Sequence, residues 1–267
     1  YQSSGAYGFR DQLQDVMALL HTRRVLARGQ ILEAARHQFE AGDVLHWWNP
    51  PAGRGVRTRF SDDLLWLPYV TAEYISVTGD ESILNENIPF LKGEALKPEE
   101  MERYTQFEAA NETYSLYQHC RRALDKGTTA GAHGLPLMGG GDWNDGMNRV
   151  GMDGRGESVW LGWFLHATLK RFAPLVALMN AITPHDPAMY LQLAEQLSHA
   201  LDAHTWDGDW YLRAFYDDGT PLGSHENIEC QIDSIAQSWA VLSGAADSAR
   251  AAQAMESVNR LLVKQAE

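Results

Sequence analysis

Cysteine is almost missing from this sequence: Cys120 and Cys230 are the only two in 267 residues, and they stand far apart. That scarcity argues against a disulfide-stapled secreted module and favours a reducing compartment where thiols stay free, so a cytoplasmic location is the expectation. No run approaches the roughly 20 apolar residues that a membrane helix needs, and the start lacks the basic-then-apolar pattern of a signal peptide. No membrane contact is expected of this segment; any anchoring of a parent protein at an inner membrane would fall to other segments. Basic residues are few as well, 22 against 35 acidic ones, for a formal charge of −13. Such a surface repels a nucleic-acid backbone, so no nucleic-acid partner is expected and a neutral or locally cradled ligand is favoured.

Several motifs are also lacking. There is no Cys-x-x-Cys and no His-Glu-x-x-His, so no metal site is expected, although His225-Glu226-Asn227-Ile228-Glu229-Cys230 gathers metal-capable residue types. Without a Gly-x-Ser-x-Gly elbow or a Lys-bearing phosphate loop, serine hydrolase and nucleotidyl chemistry have no support. No strict repeat sets a fixed period, which disfavours a regular solenoid. The chain begins at Tyr1, without an initiator Met, and stops at Gln265-Ala266-Glu267 directly after a helix-like stretch. The expectation is a piece of a longer polypeptide.

What is present is enough apolar material for a substantial core, 45% hydrophobic with 10% aromatic residues. Residues 11–40 repeat apolar positions at helical spacing (Leu13, Val16, Met17, Leu20, then Val25, Leu26, Ile31, Leu32) and predict one or two helices. His46-Trp47-Trp48-Asn49-Pro50-Pro51-Ala52-Gly53-Arg54-Gly55 reads as a loop, being too rich in Pro and Gly to be regular. Ser61 is a candidate cap for a helix that starts near Asp62-Asp63 and ends near Thr78-Gly79-Asp80. Further helices are predicted over 109–126, 157–181, 187–204, 229–244 and 246–265. Strand signals are confined to Trp210–Tyr216, closed by Asp217-Asp218-Gly219 as a small hairpin. The fold class is therefore all-α, one domain of helix pairs stacked around a centre, with a small β-hairpin. A closed ring of about twelve helices would need about a hundred residues more, so the ring is expected to be incomplete.

The richest chemical segment is Met138-Gly139-Gly140-Gly141-Asp142-Trp143-Asn144-Asp145-Gly146-Met147-Asn148. Glycines let backbone approach a ligand, Trp143 offers a flat apolar face, and Asp142, Asn144 and Asp145 offer oxygens. A sugar ring asks for that combination, and cleavage of its glycosidic bond asks for a carboxylic acid near the leaving oxygen. A Gly- and Asp-rich surface turn would look similar, but the acids lack the alternation and terminal Glu of an EF-hand. In Tyr7-Gly8-Phe9-Arg10-Asp11-Gln12-Leu13-Gln14-Asp15, Arg10 and Asp15 are candidates to grip hydroxyls, against the plainer reading of a helix start with an ion pair. Arg57-Thr58-Arg59-Phe60-Ser61-Asp62-Asp63 is ambiguous in the same way, and His46-Trp47-Trp48 reads as core and wall more readily than as a contact surface.

Taken together, Tyr1–Asp15, Arg57–Pro68 and Gly141–Asn148 resemble the inverting β-glycoside phosphorylases of glycoside hydrolase family 94, which include cellobiose and chitobiose phosphorylase. With Cys230-Gln231-Ile232-Asp233-Ser234-Ile235-Ala236-Gln237-Ser238-Trp239, the likeness extends to the C-terminal phosphorylase-like domain of cyclic β-1,2-glucan synthases and covers nearly the whole chain. The resemblance implies an (α/α)6 barrel, Asp145 as general acid, and Trp143 as the platform for the non-reducing glucose. It also implies Arg10 and Asp15 on that sugar's hydroxyls, with Asn144 beside them. No cofactor is implied beyond inorganic phosphate as co-substrate, and the implied partners are a β-glucan oligosaccharide, phosphate and the other domains of a longer polypeptide. A homodimer is left open, as related phosphorylases pair. The family's phosphate-binding Asn-Gly-Gly stretch should lie downstream of the Cys230–Trp239 segment, so this length of chain alone is expected to be inactive. Two rivals stay open: a hydrolase on the same barrel, with Asp63 or Glu157 as the base, and a non-catalytic glucan-binding or scaffold domain.

Overall fold

The computed structural model describes residues 5–50, 52–180 and 185–264. Tyr1 to Ser4 of the first motif, Pro51 of the Trp-Trp segment and the terminal Gln265-Ala266-Glu267 lie outside the described residues. The chain divides into two compact units, Tyr1–Thr128 and Thr129–Glu267.

The first unit begins with β1 (Tyr7–Gly8), which leads directly into α1 (Phe9–Leu19); α2 (Arg24–Ala35) packs against α1 and buries Ala27, Ile31 and Ala34. Two strands follow, β2 (Leu45–Asn49) and β3 (Arg54–Thr58), then α3 (Asp63–Thr78), β4 (Asn87–Lys92), β5 (Glu102–Gln106), β6 (Glu108–Ser115) and α4 (Leu116–Gly127). Strands β1-β2-β3-β5 form one antiparallel sheet and β4-β6 another. Helix α3 is the buried axis of the unit, with Leu65, Leu67, Val70, Tyr74 and Ile75 all covered, and it stops where Gly79 takes φ 70°.

The second unit contains β7 (Glu157–Ser158), α5 (Val159–Met179), α6 (Pro187–His204), β8 (Ala214–Phe215), β9 (Pro221–Leu222), α7 (Ser234–Ser243) and α8 (Ser248–Leu262). Strands β7-β8-β9 make a small antiparallel sheet. Helix α5 is apolar along most of its length, Lys170 and Arg171 apart, and packs against α6 and α7. Side chains of Ser158, Asp186, Asp233 and Asp247 cap α5, α6, α7 and α8 in turn.

The all-α expectation is corrected: the described residues are helix-rich and also form three small sheets. The segment read as a loop over 46–55 is a hairpin, because Gly55 lets β3 lie against β2 where a Cβ would meet Leu45 at 2.6 Å and the Trp47 carbonyl at 2.9 Å. The helix predicted over 109–126 begins only at Leu116. Ser115 and Gln118 form a capping box there, while Thr113 and Tyr114 pair with β4. Helix α3 is entered through Asp62 rather than Ser61. The hairpin expected over 210–219 exists but is narrower, with Trp210 held at its edge by Nε1–H donating to the Gly223 carbonyl at 2.9 Å.

Candidate active site

The segment carrying Asp145 is a loop pinned at both ends. At its entrance the Gly141 N–H donates to the Met138 carbonyl at 3.2 Å, a tight turn in which Gly139 takes φ 63° and Gly141 φ 150°. Asp142 is then wholly buried. Both of its oxygens are taken at 2.6 Å by the Arg213 guanidinium, and the Ser158 hydroxyl donates to Oδ2, also at 2.6 Å. At the exit Met147 packs on the buried cluster of Met138, Val150 and Ala214. Between these anchors Trp143, Asn144 and Asp145 are exposed, Trp143 at 44%. Asp145 opens a single 3-10 turn, Asp145–Met147, which Asn144 caps by accepting the Gly146 N–H at 2.9 Å.

Asp142 was a candidate ligand oxygen by residue type, and the structure turns it into an internal anchor. Arg213, the partner that fixes it, was not singled out from the sequence; the available signal was one charge inside an otherwise apolar and aromatic strand, Trp210–Tyr216. Burial alone would lower the Arg213 pKa, but the hydrogen bonds and charge of Asp142 outweigh it and hold the guanidinium above its ordinary value. A bidentate carboxylate is the geometry that suits a buried arginine.

Glu157, one of the two candidates for the single base that the hydrolase alternative requires, is fully committed. Its Oε1 accepts the N–H groups of His133 and Leu135, each at 3.0 Å, and His133 Nδ1 lies 2.5 Å from Oε2. A carboxylate so occupied and only 1% exposed has no oxygen facing a water to deprotonate.

In the first unit, Arg10 is buried on α1 and its Nη1 donates to both oxygens of Asp62 at 3.3 Å, while Trp66 Nε1–H donates to Asp62 Oδ2 at 3.1 Å. Asp15 is exposed further along the same helix. Asp63, the other candidate base, is buried beside His46, whose Nδ1 lies 2.7 Å from Oδ2. His46 in turn stacks on Phe60 at 4.3 Å. Arg57 serves structure: Nε and Nη2 donate to Asp43 at 2.5 and 2.8 Å, and the guanidinium lies over the Phe39 ring. Burial pushes the Asp43 pKa up, and the Arg57 contact more than reverses it. Arg59 likewise holds the carbonyls of Glu100 and Lys97. His225 rests on Asp207, Nδ1 to Oδ2 at 2.7 Å. Among the described residues no three or more His, Cys, Asp or Glu gather as a metal site would need, and no helix is long and apolar enough to cross a membrane.

A family profile, the glycosyl hydrolase 94 superfamily catalytic domain, matches residues 1–266. The chain belongs to this family. The glycosyl hydrolase 94 chain is 53% identical over 264 residues to the cyclic beta-(1,2)-glucan synthase NdvB of Rhizobium meliloti (strain 1021), a match covering 98% of this chain and 9% of that one. It is 34% identical over 257 residues to solabiose phosphorylase of Paenibacillus borealis, covering 96% and 30% of the two chains. N,N'-diacetylchitobiose phosphorylase of Vibrio proteolyticus is 28% identical over 283 residues, with 96% and 32% covered. The chain therefore spans less than a third of the length of each of these relatives. Among solved structures, a rhamnosidase from Klebsiella oxytoca with rhamnose bound superposes with a TM-score of 0.58 at 16% identity, covering 96% of this chain and 42% of that one. At that identity the likeness is one of fold.

Proposed function

We propose that this glycosyl hydrolase 94 domain supplies the general acid and sugar-binding groups of an inverting phosphorolysis, or its reversal, acting on β-1,2-linked glucan within a longer cyclic glucan synthase-like protein. The observation that carries the reading is the loop itself: Trp143 and Asp145 are presented to solvent between two anchors buried in the second unit. Presentation on rigid supports is what acid catalysis and sugar stacking both require.

In this reading the Asp145 carboxyl protonates the glycosidic oxygen as the C1–O bond breaks. A phosphate oxygen bonds to C1 from the opposite face, giving α-glucose 1-phosphate and a shortened glucan. The proton carried in by hydrogen phosphate returns to Asp145 through solvent, so the cycle closes. Phosphate arrives anionic and needs no carboxylate base, consistent with the full commitment of Glu157 to His133 and Leu135. Trp143 is assigned to the apolar face of a glucose ring and Asn144 to its rim; Arg10 and Asp15 are assigned to hydroxyl recognition. Phosphate is the only co-substrate and no cofactor is assigned. The helices come as four consecutive packed pairs, α1 with α2, α3 with α4, α5 with α6 and α7 with α8, and we read these as part of an (α/α)6 barrel.

Release of sugar 1-phosphate from linear β-1,2-glucan and inorganic phosphate by the full-length protein tests the reading, with Asp145→Asn beside it. Phosphate-dependent release that Asp145→Asn abolishes is expected. Glucan binding without release would favour a non-catalytic domain.

A further inference from the structure

Arg213 is the residue on which the acid loop converges. Its Nη2 donates to Asp142 Oδ1 at 2.6 Å, and that same oxygen accepts the Asn144 N–H at 3.1 Å. Asn144 Oδ1 then accepts the Gly146 N–H at 2.9 Å. Hydrogen bonds thus tie the guanidinium through Asp142 to the Asn144 N–H, and the Asn144 side chain in turn to the Gly146 N–H, so both neighbours of Asp145 are held. On its other edge the guanidinium Nε donates to Asp233 Oδ2 at 3.1 Å, while Asp233 Oδ1 caps α7 by accepting the Ile235 N–H at 2.9 Å. The sites joined are far apart in the chain, yet Arg213 is fully buried and meets both.

We propose that Arg213 is a positioning residue for the reaction: by clamping Asp142 against the start of α7, it fixes where the Asp145 carboxyl stands relative to the leaving oxygen. This rests on the reading of Asp145 as the general acid. Displacement of a catalytic group by about 1 Å is enough to cost on the order of 10²-fold in rate, so a clamp three residues away has large leverage. The two η nitrogens matter as a pair, since a lysine keeps the charge but meets one carboxylate oxygen at a time and lets Asp142 swivel.

A purely structural arginine and an acid-positioning one differ in leaving-group dependence. Protonation is needed when the leaving group is a sugar hydroxyl and is dispensable when it is 2,4-dinitrophenolate. The experiment compares the full-length protein with its Arg213→Lys, Asp142→Asn and Asp145→Asn versions in phosphorolysis of a β-1,2-linked glucose disaccharide and of 2,4-dinitrophenyl β-glucoside. Urea unfolding midpoints are measured in parallel. Asp142→Asn keeps the side-chain volume and an acceptor for the Asn144 N–H, and stands in should Arg213→Lys lose the fold.

The expected result is a fall in kcat on the disaccharide of about 10–100-fold for Arg213→Lys and Asp142→Asn, with KM for phosphate unchanged and kcat on the aryl glucoside within about threefold. Asp145→Asn shows the same selectivity, more strongly. Equal losses on both substrates, or none on either, from Arg213→Lys and Asp142→Asn overturn the proposal while leaving the role of Asp145 intact. Loss of that selectivity in Asp145→Asn itself would instead sink the acid assignment, and the positioning role with it.

Discussion

Glu157 and His133 hold the approach to α5 together: His133 Nδ1 lies 2.5 Å from Glu157 Oε2, and the His133 N–H donates to Oε1 at 3.0 Å. Gly131 leaves the room for this, since a Cβ there would stand 2.5 Å from the Glu157 carboxyl carbon. The pair is part of the scaffold at the start of α5. Glu157→Ala strands the buried N–H of Leu135 and is expected to cost about 1–3 kcal/mol, as leaving a buried donor unsatisfied does. Glu157→Gln keeps one acceptor and should retain most of both stability and turnover, as urea unfolding and initial rates will show. A water-activating base would behave in reverse, losing turnover while staying folded.

Trp143 is exposed at 44%, so truncating it removes little from the core. Trp143→Ala is expected to change the unfolding free energy by no more than about 0.5 kcal/mol. Glucan affinity should fall by about 5–30-fold, equivalent to about 1–2 kcal/mol of lost stacking. Titration calorimetry with a linear β-1,2-glucan reads this directly.

The return of the Asp145 loop depends on Gly156. A Cβ at that position would stand 2.2 Å from the Val150 carbonyl oxygen and 2.7 Å from the Gly151 Cα, both backbone atoms that cannot swing aside. Gly156→Ala is expected to destabilise the protein by about 1–3 kcal/mol. Activity should decline together with the thermal midpoint, because Val150 belongs to the cluster that seats Met147.

His166 gives stability a pH dependence. It is buried on α5, its Nδ1 has no hydrogen-bond partner among the described residues, and burial, aided by Lys170 and Arg171, pushes its pKa down from 6.5 to about 4. The unfolded chain therefore binds this proton at a higher pH than the folded one. The contribution is fully present above pH ~6.5 and is lost as pH falls towards 4, by up to about 3 kcal/mol. Unfolding midpoints between pH 7 and 4.5 should fall more steeply for the natural protein than for His166→Leu. Parallel slopes would show that His166 is not the group responsible.

Much of the helical framework was legible because its stop and start signals are local. The prediction of 187–204 coincides with α6, where Asp186 caps and Pro187 opens the helix, and 157–181 encloses α5 behind its Ser158 cap. Helices α7 and α8 begin a few residues inside the predicted spans, at the Asp233 and Asp247 caps. The β2–β3 hairpin escaped because its pairing depends on close approach at Gly55 and not on alternating hydrophobicity. At the candidate site, Trp143 and Asp145 were singled out by residue type and are exposed in the structure, whereas the burial of Asp142 was not foreseen. Its partner Arg213 is 71 residues away, and nothing local to either announces the pairing.

The central claim, phosphorolysis with inversion, is tested most directly by following linear β-1,2-glucan and inorganic phosphate with the full-length protein by 31P and 1H NMR. The prediction is consumption of phosphate matched by α-glucose 1-phosphate, absent in Asp145→Asn. Free glucose released with phosphate untouched would contradict it.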